Sequence, residues 1–168
     1  MSCVPAQELI PEEADVMARV GSLPVDLAAL GVCANIWRAA QRLRTHLERE
    51  VLHDAGISWT GFAMLFNLWV WGPMETRALA ESMAVTRATV SGVADTLEGR
   101  GQVRRDGHPE DGRLVRLELT PSGRRTIERL FPRFNEGEAA LVGGLSERDQ
   151  TTLARLLRRF ITTAKEAA

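Results

Sequence analysis

Between Glu75 and Pro121 the hydrophobic period of the chain changes from helical to extended and back, and no other stretch constrains the fold as tightly. Glu75 to Ser82 reads as a short helix with Leu79 and the following Met83 apolar, and Met83-Ala84-Val85 reads as a three-residue turn. Thr86 has the chemistry of an N-cap, a hydroxyl that can accept from a free backbone N–H. The helix it opens runs to about Glu98, with Val90, Val93 and Leu97 inward at helical spacing. Two short helices joined by a tight turn form a helix-turn-helix. After Gly99 and Gly101 the period shortens: Val103-Arg104-Arg105 and Leu114 to Leu119 read as strands, separated by the loop chemistry of Gly107-His108-Pro109-Glu110-Asp111-Gly112. The pair predicts a hairpin with a basic tip, a wing.

Helical patterns flank this region. Residues 1–24 carry Pro5, Pro11, Gly21 and Pro24 and read as an extension with one short helix, Glu12 to Val20. A long pattern runs from about Val25 to Asp54, its apolar stripe including Leu27, Leu30, Ile36, Trp37, Leu43, Leu47 and Val51, and Gly56 ends it. Ser58 can cap a further helix carrying Phe62, Leu65, Phe66 and Trp69, which Gly72-Pro73 breaks. Thr120-Pro121 is a helix start, Thr as cap and Pro at the first helical position, with Pro132 an expected kink. Ser146 with Asp149 opens the last helix, whose stripe is Leu153, Leu156, Leu157, Phe160, Ile161 and Ala164. That stripe needs a partner surface, either the chain's own first long helix or a second subunit.

Composition narrows the function classes. The 168 residues suit one domain, or two small lobes sharing a core. No apolar run approaches the roughly 18 residues of a membrane span, and Met1 to Pro11 lacks a basic region followed by an apolar stretch, so neither a membrane partner nor a secretory signal is expected. Cys3 and Cys33 are too few for a disulfide framework and fit a reducing cytoplasm. The net charge of −1 does not mark a nucleic-acid binder. From Thr86 to Arg125, however, eight arginines stand against six acids, and Lys165 is the single lysine among the 21 basic residues. Arginine is the better fork for phosphate and base edges, although a skewed codon usage gives the same ratio.

The strings Thr76-Arg77-Ala78-Leu79-Ala80-Glu81, Thr86-Arg87-Ala88-Thr89-Val90-Ser91-Gly92-Val93 and Thr96-Leu97-Glu98-Gly99-Arg100-Gly101 follow in that order. Asp111-Gly112-Arg113 then precedes a strand and Leu119-Thr120-Pro121-Ser122-Gly123. From about Val25 to Ala164 this arrangement resembles the MarR family, the multiple-antibiotic-resistance-type regulators, and the wing string is its specific signal. The resemblance implies a mainly α fold with a small β-hairpin wing. Residues 57–120 would form the winged helix-turn-helix DNA-binding domain, 25–56 and 121–168 the dimerisation helices, and 1–24 an extension. It implies a homodimer on double-stranded operator DNA, the recognition helix in the major groove and the wing in the adjacent minor groove, with release by a small, often aromatic ligand or by an oxidant. Neither a cofactor nor a metal is implied, and His46, His53 and His108 lack ligand spacing.

The expected DNA-binding residues are Arg77, Thr86, Arg87, Thr89, Ser91, Arg104, Arg105, Asp111 and Arg113. The first turn of the recognition helix faces base edges and phosphates, and its free N–H groups suit phosphate. Arg87 can fork onto guanine. Thr86 caps, contacts DNA, or does both; Arg77 meets phosphate or solvent. Arg113 matches the wing arginine that enters the narrow minor groove, with Asp111 orienting it or pairing with another arginine. Arg104 and Arg105 can track phosphates, strand alternation sending one of them elsewhere. Gln102 departs from the apolar residue usual in relatives at the wing base.

Trp37, Trp59 and Phe66 are the expected effector-binding residues, because flat rings suit a flat apolar ligand; core packing is the other reading of the aromatic residues, Trp69 above all. Urate is disfavoured, since Ala63 stands where that branch has an acid and the extension contains no Trp. Cys33 is the candidate for oxidant sensing, against a buried, inert thiol; the chain has no Tyr of the kind that holds the thiolate in the peroxide-sensing branch. A winged helix used only for protein contacts is the rival class. An enzyme is not expected, as no nucleophile elbow, phosphate loop or convergent acid pair is present.

Overall fold

Hydroxyl side chains open four of the helices at the positions their sequence chemistry assigns. Ser58 accepts from the Gly61 N–H (3.1 Å), Thr86 from Thr89 (3.1 Å), Thr120 from Gly123 (3.0 Å) and Ser146 from Asp149 (3.2 Å). Each satisfies one of the donors that a helix start leaves free. The structure is a computed structural model that describes residues 9–107 and 115–166. Two compact units divide the chain, Met1–Thr45 and His46–Ala168.

The first unit holds α1 (Pro11–Val20) and most of α2 (Leu27–Leu47). Asp26 caps α2 through the Ala29 N–H (3.0 Å). A carboxylate is buried here: Glu13 is 8% exposed and accepts from Asn35 Nδ2 at 3.1 Å. Beside it Glu12 pairs with Arg42 at 3.1 Å. The long stripe expected of α2 is not uniformly covered. Leu27 and Trp37 are 39% and 64% exposed, and Leu47 and Val51 are the members that become buried.

In the second unit a π-helical turn, Glu48–Leu52, follows α2 and places Val51 and Leu52 in the core. Gly56 has φ +63°, a conformation costly to an L side chain. Then follow α3 (Trp59–Trp71), β1 (Met74–Glu75), α4 (Thr76–Ser82), α5 (Arg87–Gly99), β2 (Val103–Gly107), β3 (Val115–Leu119), α6 (Pro121–Val142) and α7 (Glu147–Glu166). The sheet is antiparallel in the order β1-β3-β2, with Arg104 opposite Glu118 and Arg105 opposite Leu117. The two-residue β1, unforeseen in the sequence, pairs Met74 with Leu117 and Glu75 with Arg116. Ala84, in the turn between α4 and α5, takes φ +52°.

The core gathers Leu65 and Leu68 of α3, Leu79 of α4, Val90 and Leu97 of α5, Val103, Leu117 and Ile127, all at most 2% exposed. Burying such a side chain is worth about 1.5–3 kcal/mol. On α5 the inward set is Val90, Ala94 and Leu97, and Val93 is only half-buried. Positions 90, 94 and 97 complete one helical stripe, so the geometry buries the smaller Ala94 in place of the larger Val93. Helix α6 continues through Pro132. Its start touches the hairpin directly: a Cβ at Gly123 would overlap the Gln102 carbonyl oxygen and lie 2.8 Å from the carbonyl carbon. Gln102 itself donates from Nε2 to Thr126 Oγ1 at 3.3 Å, while its Oε1 is buried without a partner among the described residues.

Candidate nucleic-acid interface

Helix α5 is fixed from behind and open in front. Val90, Ala94 and Leu97 anchor it, whereas Thr86, Arg87, Thr89 and Ser91 are all exposed on its first turns. The Thr86 and Thr89 hydroxyls lie 2.9 Å apart, and Thr86 also takes the Thr89 N–H, so both belong to the cap as well as to the exposed face. Arg87 makes no ion pair among the described residues, which leaves its guanidinium free to fork onto an acceptor. Arg77, at the start of α4, pairs with Glu81 at 3.0 Å with both side chains largely exposed. Such a pair is weak and can be exchanged for a phosphate.

Strand alternation separates the two hairpin arginines. Arg104 pairs with Glu118 across the sheet. Arg105 turns to α5, where it pairs with Glu98 and with Asp95 (2.5 Å) and its side chain is 32% exposed. The hydrogen bond that Arg105 donates to Asp95, with the charge of Glu98 adding to it, holds the guanidinium above its ordinary pKa against partial desolvation. Asp111 and Arg113, expected at the wing tip, lie outside the described residues.

Two arginine contacts escaped the sequence reading. Arg100, just past α5, donates to the Gly56 carbonyl (2.5 Å), and Arg116 of β3 donates to the Pro73 carbonyl (3.3 Å). Asp95 and Glu98 escaped as well; their spacing on one face of α5, opposite a basic strand, was the available signal.

The aromatic residues sort by unit. Trp37 lies in the first unit. In the second, Trp59 and Phe66 are half-buried and join a ring cluster between α3 and α6: Phe62 stacks on Phe134 with centroids 4.0 Å apart, Trp59 meets Phe134 at 5.9 Å, and Phe66 and Trp69 meet Phe131 at 5.4 and 5.5 Å. Cavities of about 310 Å³ lie elsewhere, one along Ser58, Gly61, Gly92 and Arg100, another along Gln102, Thr126, Arg129 and Arg133. Cys33 is a free, exposed thiol, not the buried one of the alternative reading. Among the described residues no cluster of His, Cys, Asp or Glu could hold a metal ion, and no helix is long and apolar enough to cross a membrane.

A helix-turn-helix with an exposed, capped second helix, followed by a hairpin packed beside it, defines a winged helix-turn-helix DNA-binding regulator. A family model described as MarR family matches residues 57–115. The chain is 41% identical over 156 residues, 91% of each protein, to a Bacillus subtilis (strain 168) protein described as the uncharacterized HTH-type transcriptional regulator YwaE. It also superposes on Bordetella bronchiseptica BpsR, a protein whose DNA binding is regulated by 6-hydroxynicotinic acid. That match has a TM-score of 0.71 and 27% identity and covers 77% of this chain and 98% of that one. Sco3205 from Streptomyces coelicolor, a MarR family transcriptional regulator solved in complex with DNA, gives a TM-score of 0.72 at 26% identity, covering 82% of this chain and 88% of that one. The chain belongs to the MarR family of transcriptional regulators.

Proposed function

We propose that this regulator is a cytoplasmic repressor that binds a (pseudo)palindromic operator as a two-fold dimer and is released by a small organic ligand. The observation that carries the DNA reading is the exposed first turn of α5, with an Arg87 that has no ion-pair partner among the described residues, on a helix whose opposite side is locked in the core. Residues 57–120 form the DNA-binding lobe in this reading. Arg87 reads a base, Thr86, Thr89, Ser91 and Arg77 serve the backbone, and Arg113 with Asp111 serves the minor groove. Residues 25–56 and 121–168 supply the dimer, since the α7 face of Leu153, Leu156, Phe160 and Ile161 is 40–52% exposed in one chain.

The test is a mobility-shift titration against the DNA upstream of the protein's own gene. Binding that weakens steeply with salt, through counterion release, is expected; absence of salt-sensitive binding would make the fold a protein-contact module. Replacing Arg87 by Ala should relax base preference by about 1–3 kcal/mol at one position per half-site.

For the signal, BpsR supports a ring-shaped organic acid as the kind of compound to screen, and the half-buried Trp59 and Phe66 are the proposed contacts, with Trp37 as a further candidate. Tryptophan fluorescence read beside DNA release tests this. Exposure of the Cys33 thiol favours a second reading, oxidation. Peroxide that releases DNA from the parent but not from Cys33→Ser, with no aromatic compound acting, would replace the ligand by the oxidant.

A further inference from the structure

Ser91, Asp95 and Glu98 lie on one face of α5, and Arg105 of β2 reaches all three. Its Nη1 donates to Glu98 Oε2, its Nη2 to Asp95 Oδ1 (2.5 Å) and to the Ser91 carbonyl (3.4 Å), and its backbone N–H to Glu98 Oε1 (3.2 Å). One carboxylate therefore grips both the main chain and the side chain of the same strand residue. A strand held at its backbone cannot slide along the helix without breaking that bond, and a guanidinium whose two terminal nitrogens bridge two carboxylates is fixed in direction as well as distance. The paired side chains of Arg42, Arg49, Arg77, Arg104 and Arg124 are 58–75% exposed, against 32% for Arg105.

The acids are the telling part. Asp95 and Glu98 place two negative charges on the helix that approaches a polyanion. Unless they do something else, they oppose binding, because like charges repel across the interface. An arginine held by two carboxylates is also neutralised for phosphate contact.

We propose that Arg105 is a positioning residue for operator binding, clamping the middle of strand β2 of the hairpin onto the recognition helix through Asp95 and Glu98 so that helix and wing meet the DNA in one fixed register. This rests on the DNA-binding reading of α5 and assigns Arg105 a task other than the phosphate contact expected from sequence.

The sign of one substitution decides it. The probe is a labelled duplex enriched from random sequence by the wild-type protein, read by fluorescence anisotropy. Removing both charges with Asp95→Asn plus Glu98→Gln should weaken binding several-fold, although the protein becomes less negative where DNA docks. Arg105→Ala should weaken it about as much, and adding the acid substitutions to Arg105→Ala should weaken it no further, the non-additivity of groups acting as a unit. Hydrogen exchange at the Arg105 amide in the free protein should quicken in the same variants. If the acid substitutions tighten binding or leave it within twofold, Arg105 is not a clamp. Should the double acid variant fail to fold, Asp95→Asn alone carries the same sign test, since that side chain is 68% exposed. If the wild-type protein enriches no duplex, the DNA reading of α5 has failed, and amide exchange still reports whether the clamp exists.

Discussion

Helices α6 and α7 are nearly equal in length, 22 and 20 residues, and each carries an apolar stripe. They satisfy it differently. Helix α6 buries Gly123, Ile127, Leu130 and Phe134 within its own chain, whereas α7 buries none of its residues. The contrast separates two sources of order. The winged unit closes its core with residues the chain supplies, from α3, the sheet and α6. The last helix keeps a face exposed, and finishing the burial of its Leu153, Leu156, Phe160 and Ile161, 40–52% exposed, is worth about 1 kcal/mol apiece.

The first way to break this comparison is at the foot of α6. Gly123→Ala sets a methyl against backbone that cannot yield as a flexible side chain would, and should cost about 4 kcal/mol. Thermal unfolding should show the melting temperature falling by about 8–16 °C. A loss within 1 kcal/mol would mean that the helix and hairpin are less tightly joined than the structure has them.

The comparison sharpens one turn pair at a time. Leu130→Ala, 4% exposed at the parent residue, should cost about 3 kcal/mol in denaturant titration whatever the protein concentration. Phe160→Ala in α7 should change the fold of a single chain by at most about 0.5 kcal/mol. It should loosen self-association by about 2 kcal/mol, roughly thirtyfold, in sedimentation equilibrium. A wild-type protein that stays monomeric at micromolar concentration would remove the second copy from the account of α7.

The smallest effects are at the caps. Thr120 accepts from Gly123 and donates to the Gly101 carbonyl (2.6 Å), tying α6 to the hairpin, whereas among the described residues the Ser146 hydroxyl meets only groups of its own first turn. Thr120→Ala should cost about 1.5 kcal/mol and Ser146→Ala about 0.5 kcal/mol. Equal losses would show that the link to Gly101 contributes nothing beyond capping.

What the sequence revealed follows from range. Caps at Ser58, Thr86, Thr120 and Ser146 depend on the next three residues and were legible, as were the helix-turn-helix and the hairpin from their periods. The β1 strand was not, because two residues have no period and Met74 finds its place only through Leu117. Ala94 is no larger than a surface alanine and carries no apolar signal of its own; the angle of the stripe, not side-chain size, turns it inward and leaves Val93 half-buried. Alternation said that Arg104 and Arg105 must diverge, yet only the fold could say that one meets Glu118 and the other the acids of α5. The rings of Phe131 and Phe134 were likewise invisible as partners of Trp59 and Phe66, since the contact joins two helices far apart in the chain.

The close approach of Gly123 to Gln102 also has a mechanical meaning. A joint with clearance absorbs small displacements, and a joint without play passes them on. At this point the first turn of α6 rests on the root of β2 with no room even for a methyl group, and close-packed interiors compress little. A push that drives this end of α6 toward the sheet therefore moves the root of the hairpin with it. Whatever pulls on the far end of that long helix has hold of a lever whose short arm is the wing.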